Sequence, residues 1–194
     1  MKARVERVQA VRSDTEILLT LTVLACAPRT HTYRVTKEGY LQAGSPEEGD
    51  TLDEGALALL IGEEDARLAY SRAVKILASG DNTKKALLRK LCERGFLRES
   101  AMDAVEKLAR DGYIREQELL LRQLGIYAKR LWGPKKFMPA LLEKGFERDL
   151  IQNALVRAKD EGIYDPDAVK KALLDALPTD DAVQRRAWLY KHGF

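Results

Sequence analysis

One short motif returns three times in the second half of the chain. Leu91-Cys92-Glu93-Arg94-Gly95-Phe96, Leu141-Leu142-Glu143-Lys144-Gly145-Phe146 and Leu189-Tyr190-Lys191-His192-Gly193-Phe194 share a pattern of Leu, three residues, Gly and Phe. A basic or histidine residue precedes each of these glycines, which lie 50 and 48 residues apart. In two of the units a second glycine follows 17 residues later, at Gly112-Tyr113-Ile114 and Gly162-Ile163-Tyr164. Between the paired glycines, Ala101, Ala104, Val105 and Leu108 match Ile151, Ala154, Leu155 and Ala158 in phase. Such a period constrains the fold more than local propensity does. Each unit must be one supersecondary structure that completes its core against a neighbour.

The spacing has a direct physical reading. The first Gly ends a helix in a left-handed cap, a conformation that glycine adopts without strain. The Phe after it folds back on the helix it has left. A helix of about 14 residues then fills the gap to the second Gly, so each unit holds three helices in about 50 residues. The first unit spans 64–113 and the second 114–163, its middle helix opening after Trp132-Gly133-Pro134 with proline at the first helical position. The third, 164–194, opens at Asp165-Pro166-Asp167 and has room for two helices. Completing it needs about 17 more residues, so the chain stops short of its own pattern.

Residues 1–63 differ in charge and in period. They carry seven basic and ten acidic residues, a net −3, whereas 64–194 carry 26 basic and 20 acidic, a net +6. A mixed run from Arg4 to Val11 ends at the turn residues Arg12-Ser13-Asp14. From Ile17 to Leu24, Leu19, Leu21 and Val23 alternate with Thr20 and Thr22, which is strand periodicity. Ala27-Pro28-Arg29 breaks it, and His31 to Thr36 alternates again. A small antiparallel meander follows from this. Lys37 to Leu41 fits a turn, a last strand or a short helix, and 43–50 is a loop. Asp50 or Thr51 caps a short helix through Ile61 that stops at Gly62. Asp81-Asn82-Thr83 caps a helix running to Arg94. The predicted fold is mainly α: tandem three-helix repeats in an elongated helical array, preceded by a small β-rich N-terminal domain over 1–63.

Composition narrows the chemistry. The chain has 194 residues, 45% hydrophobic and 32% charged, with two cysteines and two histidines. No apolar run reaches the ~18 residues of a membrane span, and the first residues do not read as a signal peptide. Two cysteines make no disulfide framework, so the expected setting is the cytoplasm. Phosphate-loop, dinucleotide-binding and nucleophile-elbow motifs are all missing. The expectation is a chain that is not an enzyme, with no metal site and no cofactor.

At this point the residues resemble a known family. The serial Leu-x-x-x-Gly-Phe units, the Gly112-Tyr113-Ile114 junction and the Trp132-Gly133-Pro134-Lys135-Lys136 entry are similar to RecX, the bacterial regulator of the RecA recombinase. The resemblance covers 64–194 well and 1–63 loosely. It departs at Arg115-Glu116, where the family carries acidic residues, and at Gly80-Asp81-Asn82-Thr83, where it tends to have an Arg and a Ser. What the resemblance implies is regulatory: binding to the RecA–single-stranded-DNA filament, with effects on its growth, ATP hydrolysis and strand exchange. It also implies roles in recombination, DNA repair and the SOS response. The implied partners are the RecA filament and single- or double-stranded DNA; no membrane partner is expected, and the chain reads as a monomer. A different reading is a stand-alone DNA-binding protein with homeodomain-like three-helix modules, which place a helix in the major groove.

Basic residues cluster at the middle helices: Lys84, Lys85, Arg89 and Lys90, then Lys129, Arg130, Lys135 and Lys136, then Arg185 and Arg186. They are the candidate contacts to RecA or to DNA phosphates; the competing reading is a solvated face. Trp132 fits packing between units, and Trp188 a partly exposed site. Tyr113, Tyr127, Tyr164 and Phe96 are assigned to core, as is Cys92. Cys26 ends a strand, and His31 lies on a strand face. His192 occupies the basic position before the repeat glycine. Glu47-Glu48 and Glu63-Glu64-Asp65 read as loop solvation and helix N-terminal charge.

Overall fold

The computed structural model describes residues 2–11, 15–24, 28–177, 179 and 181–194. The turn expected at Arg12-Ser13-Asp14, and the strand end at Cys26 and Ala27, lie outside the described residues. The chain divides into two compact units, Met1–Lys75 with Leu91–Lys107, and Ile76–Lys90 with Leu108–Phe194.

The first unit is built on a sheet. Strands β1 (Lys2–Ala10), β2 (Glu16–Leu24) and β3 (Arg29–Thr36) form the expected antiparallel meander. A two-residue strand, β4 (Thr51–Leu52), adds to β1 and gives the order β3-β2-β1-β4. Alternation decides which side chains go inward, since successive residues face opposite sides of a sheet. Ala3, Val5, Leu19, Leu21 and Val35 are buried on one face with Leu52, Leu57 and Leu60. A register shift between Val5 and Arg7 marks a bulge at Glu6,. Residues 37–42, open between three conformations in the sequence, form the helix α1 (Lys37–Gln42). The Thr36 hydroxyl caps α1 by accepting the Gly39 N–H at 3.0 Å. The Tyr40 hydroxyl donates to the Pro46 carbonyl at 2.9 Å and holds the following loop.

The next helix corrects the sequence reading. α2 runs without a break from Glu54 to Ala78, through Gly62. An interior glycine costs only about 1 kcal/mol against alanine, and buried positions continue on both sides, at Leu57 and Leu60 before it and Ala69 and Ala73 after. The cap is neither Asp50 nor Thr51. Asp53 caps α2, its Oδ1 accepting the Ala56 N–H at 2.8 Å. Glu63-Glu64-Asp65 is therefore not N-terminal charge, because it lies in mid-helix. Glu63 accepts the Thr36 N–H at 2.9 Å and Glu64 the Arg34 N–H at 3.1 Å, both on the outer edge of β3. Asp65 accepts the Leu97 N–H at 3.0 Å, just before α4 (Arg98–Arg110). Glu64 also pairs with Arg67 at 2.6 Å, and that hydrogen bond holds the guanidinium above its ordinary pKa.

The helical pattern is otherwise as the repeat predicts: α3 (Lys84–Cys92), α5 (Glu116–Lys129), α6 (Pro134–Glu143), α7 (Arg148–Asp160), α8 (Pro166–Asp175) and α9 (Ala182–His192). The second unit's core joins Leu120, Leu124 and Tyr127 of α5 to Phe137 and Leu141 of α6 and Ile151, Ala154 and Ala158 of α7. The in-phase residues Ala101, Ala104, Val105 and Leu108 of α4 are likewise buried. α9 differs, for none of its residues is buried. Where α3 and α6 bury Leu87 and Phe137, the repeat brings Arg185, which is exposed.

Candidate partner-binding surface

The repeat motif is a helix C-cap with a fixed hydrogen-bond pattern. Phe146 N–H donates to the Leu141 carbonyl at 3.1 Å and Gly145 N–H to Leu142 at 3.0 Å. Those two bonds define a Schellman cap, with the glycine in the left-handed region at φ 93°,. The first and third motifs repeat it, Phe96 reaching Leu91 and Phe194 reaching Leu189. The α5 terminus makes the same two bonds through Leu131 and Trp132, with Leu131 at φ 53° where the others use glycine.

In the second unit the motif has another role. A Cβ placed on Gly145 would lie 2.7 Å from Thr83 Oγ1 and 3.0 Å from the Lys85 Cβ. One placed on Gly193 would lie 2.5 Å from the backbone N and the Cβ of Lys136. Each Gly-Phe turn thus abuts the first turn of the preceding unit's middle helix. Hydrogen bonds close the joint: Thr83 Oγ1 donates to the Lys144 carbonyl at 2.8 Å. In the next copy Gly133 N–H donates to the His192 carbonyl at 2.6 Å and Lys135 N–H to Gly193 at 3.1 Å. The carbonyl end of one helix meets the N–H end of another, which pairs opposite ends of their macrodipoles.

The cations sit around these joints. Neither α3 nor α6 has an acidic residue in its first turn. Lys84-Lys85 and Lys135-Lys136 stand there instead, at the end where positive charge opposes the helix dipole. Helix stability therefore does not account for them. At α3 an anion comes from the next unit, Glu116 accepting the Lys84 N–H at 2.7 Å. Lys84, Lys85, Lys129, Arg130 and Lys135 are exposed. Arg130 and Lys136 converge on Trp132, 5.6 and 4.6 Å from its ring centre. Lys136 Nζ also lies 3.4 Å from the Lys191 carbonyl. Arg89 and Lys90 line a hollow of about 260 Å³ with Asp81, Gln123 and Lys144. Arg185 and Arg186 lie one turn deeper in α9, exposed, and Arg185 Nε donates to the Thr179 carbonyl at 3.0 Å. Sequence reasoning left out Lys144 and Lys191, although both stand inside the repeat motif, Lys144 at its basic position and Lys191 one residue before it.

The aromatic residues divide. Trp132 stacks on Tyr127, with ring centres 5.3 Å apart, and Tyr127 on Phe137 at 5.3 Å. The Tyr164 hydroxyl donates to the Trp132 carbonyl at 2.9 Å, and burial pushes its pKa up. Burial also raises Tyr127, against the lowering effect of Arg130. Tyr113 is a correction: it is 62% exposed. Its N–H completes the α4 cap by donating to Leu108, while the ring has no place in the core. Phe96 and Cys92 are half-buried, and His31 is exposed on β3 with its ring 4.6 Å from Tyr33. Trp188 is half-buried as expected, and its indole N–H is enclosed without a hydrogen-bond partner among the described residues. Among the described residues no group of three or more His, Cys, Asp or Glu is placed to hold a metal ion. No helix there is long and apolar enough to cross a membrane.

Fold and joints first define a class: mainly helical repeat proteins with an N-terminal antiparallel sheet, in which helix C-caps meet the N-terminal turns of other helices. No family model matches the chain. It is 26% identical over 95 residues to the regulatory protein RecX of Legionella pneumophila strain Corby, a match covering 49% of this chain and 63% of that protein. With RecX of Trichlorobacter lovleyi it shares 40% identity over 62 residues, 32% of this chain and 35% of that one. With RecX of Xanthomonas campestris pv. campestris strain B100 it shares 28% over 126 residues, 63% and 78% of the two chains. The fold is similar to a crystal structure of regulatory protein RecX, with a TM-score of 0.64 at 20% identity over 99% of this chain and 94% of that one. RecX from Lactobacillus salivarius gives 0.51 at 18% identity, over 67% and 88%. The chain is thus similar to regulatory RecX proteins in part of its sequence, and its fold is similar to theirs over nearly its whole length.

Proposed function

We propose that this protein regulates the RecA recombinase by binding the RecA–single-stranded-DNA filament and modulating its extension, ATP hydrolysis and strand exchange, without a catalytic site of its own. The relatives' shared description as regulatory protein RecX supports this reading. The observation that carries it in this chain is the pair of lysines at the first turn of both α3 and α6. Both pairs work against the helix dipole, so a partner's anions are what they answer. Lys84, Lys85, Lys135 and Lys136 are the primary contacts, with Arg89, Lys90, Lys129 and Arg130 beside them. Arg185 and Arg186 form a separate, weaker contact. The contacted surface is an acidic groove of RecA or DNA phosphates within the filament.

The test is RecA ATPase on single-stranded DNA with the protein added below stoichiometry. The expected result is a reduced steady-state rate, with Lys135→Glu/Lys136→Glu weakening the effect by about tenfold. An unchanged ATPase together with no filament binding would sink the reading. Salt-sensitive duplex binding with no effect on RecA would instead favour a stand-alone DNA-binding module.

A further inference from the structure

One rim of the N-terminal sheet is covered over only part of its length. The odd-numbered residues of β3 bond to β2, a ladder that Lys37 N–H continues by donating to the Thr15 carbonyl at 3.0 Å. The backbone groups of Thr30, Thr32, Arg34 and Thr36 therefore point away from β2, because inward and outward bonding alternate along an antiparallel strand. β3 stands at the end of the strand order, so no further strand of the sheet receives them. Glu64 takes the Arg34 N–H and Glu63 the Thr36 N–H, and there the cover stops. Nothing among the described residues bonds the outward backbone groups of Thr30 or Thr32. Pro28, which has no N–H, closes the other end of the stretch,. Residues 28–32 are exposed. Thr30, His31 and Thr32 include none of the lysine or proline that commonly blunts an open edge.

We propose that this open stretch pairs with the same stretch of a second copy, antiparallel about a two-fold axis at His31, joining the two four-stranded sheets edge to edge. Thr30 then faces Thr32 of the second copy, and the two exchange both of their backbone bonds. Symmetry repeats the exchange, so four bonds use every outward group of both threonines in both copies. The ladder also ends in register. Pro28 falls opposite Arg34 of the second copy, one without an N–H and the other with its N–H already held by Glu64,. The side chains match as well. Arg29 falls opposite Tyr33 of the second copy, and burial together with the nearby Glu64 carboxylate pushes the pKa of that tyrosine up. Arg29 is exposed and has no ion pair among the described residues. Each copy thus brings a cation to the place where the other holds an aromatic ring beside a carboxylate. This self-complementarity of backbone, register and charge selects a second copy over an unrelated peptide. It departs from the monomer expected from the sequence. It needs no RecA and none of the lysines of α3 or α6, so it stands or falls separately from the filament reading.

The test is sedimentation equilibrium of the full chain from about 10 µM to about 1 mM. The weight-average mass is expected to rise with concentration towards that of two chains. Thr32→Pro removes an outward N–H that β3 does not use within its own sheet, a place where an edge strand tolerates proline. It takes two of the four bonds from the pair and should weaken association at least about tenfold. Arg29→Glu should weaken it about fivefold. A second readout reports the register. In a Cys26→Ser/Cys92→Ser background, His31→Cys places two thiols on the axis with Cα atoms about 4.5 Å apart, within disulfide reach. Arg34→Cys, on the same strand, places its pair about 20 Å apart. Mild oxidation should cross-link the His31→Cys chain at least about tenfold faster than the Arg34→Cys chain. Equal cross-linking of the two, or association indifferent to Thr32→Pro, overturns the proposal. A chain that stays monomeric throughout also overturns it, and leaves the edge to an extended segment of another protein.

Discussion

Gly95 and Gly193 occupy the same place in the same motif and adopt the same backbone, φ 89° and φ 90°. Their surroundings differ. A Cβ on Gly95 would meet nothing within 4 Å, whereas one on Gly193 would meet the backbone of Lys136 at 2.5 Å. One glycine is required by its dihedral alone, the other by its dihedral and by a helix packed against it. The motif is thus a cap in all three copies and a joint in two. Identical sequence does not mean identical work: a repeat's first copy keeps the local function even where no earlier unit exists to receive it.

Alanine at each glycine should reveal the difference, with stability read by urea denaturation and location by amide exchange. Gly193→Ala carries the largest effect. The left-handed penalty of ~1–2 kcal/mol adds to overpacking of ~1–3 kcal/mol, giving a loss of about 3 kcal/mol and faster exchange at Lys135 as well as Phe194. Gly145→Ala should cost slightly less, about 2 kcal/mol, since Thr83 Oγ1 and the Lys85 side chain can shift. Its exchange signature is at Ala86 and Phe146. Thr83→Val removes both an N-cap and a joint bond while keeping the glycine, at about 1–2 kcal/mol. Gly95→Ala should cost about 1 kcal/mol, with changes confined to Phe96 and its neighbours. A loss there equal to that at Gly193 would break the distinction. The smallest effect belongs to Leu131→Gly, where relief of the left-handed strain offsets lost burial to within about 1 kcal/mol.

Period and cap chemistry made most of the helical architecture legible. Glycine in a left-handed turn, a Phe five residues after a Leu, and proline at N1 are local signals, and the bonds at Gly95, Gly145 and Gly193 follow them. The sheet meander was equally readable from the threonine alternation in β2. What stayed hidden depends on distant partners. Gly62 has the composition of a stop, yet α2 continues because buried residues on both sides of it reward continuation. Glu63, Glu64 and Asp65 looked like generic helix charge, and their partners Thr36, Arg34 and Leu97 are set by tertiary structure. Tyr113 shares its junction position with the half-buried Ile163, but its own ring is exposed. Of the candidate surface, residue type and recurrence named the cations. Convergence of Arg130 and Lys136 on Trp132 required the fold, as did the open stretch of the β3 edge.

The two carboxylates on the rim of β3 have a consequence for how the chain behaves among copies of itself. An outermost strand with unspent amide groups is a template onto which another chain's strand can zip. Glu63 and Glu64 occupy those groups at Thr36 and Arg34, and they bring negative charge to a rim where a visiting backbone would otherwise dock. A helix in mid-course thereby stands guard over a sheet border, and resistance to clumping along that stretch is written into α2 rather than into the strand it protects.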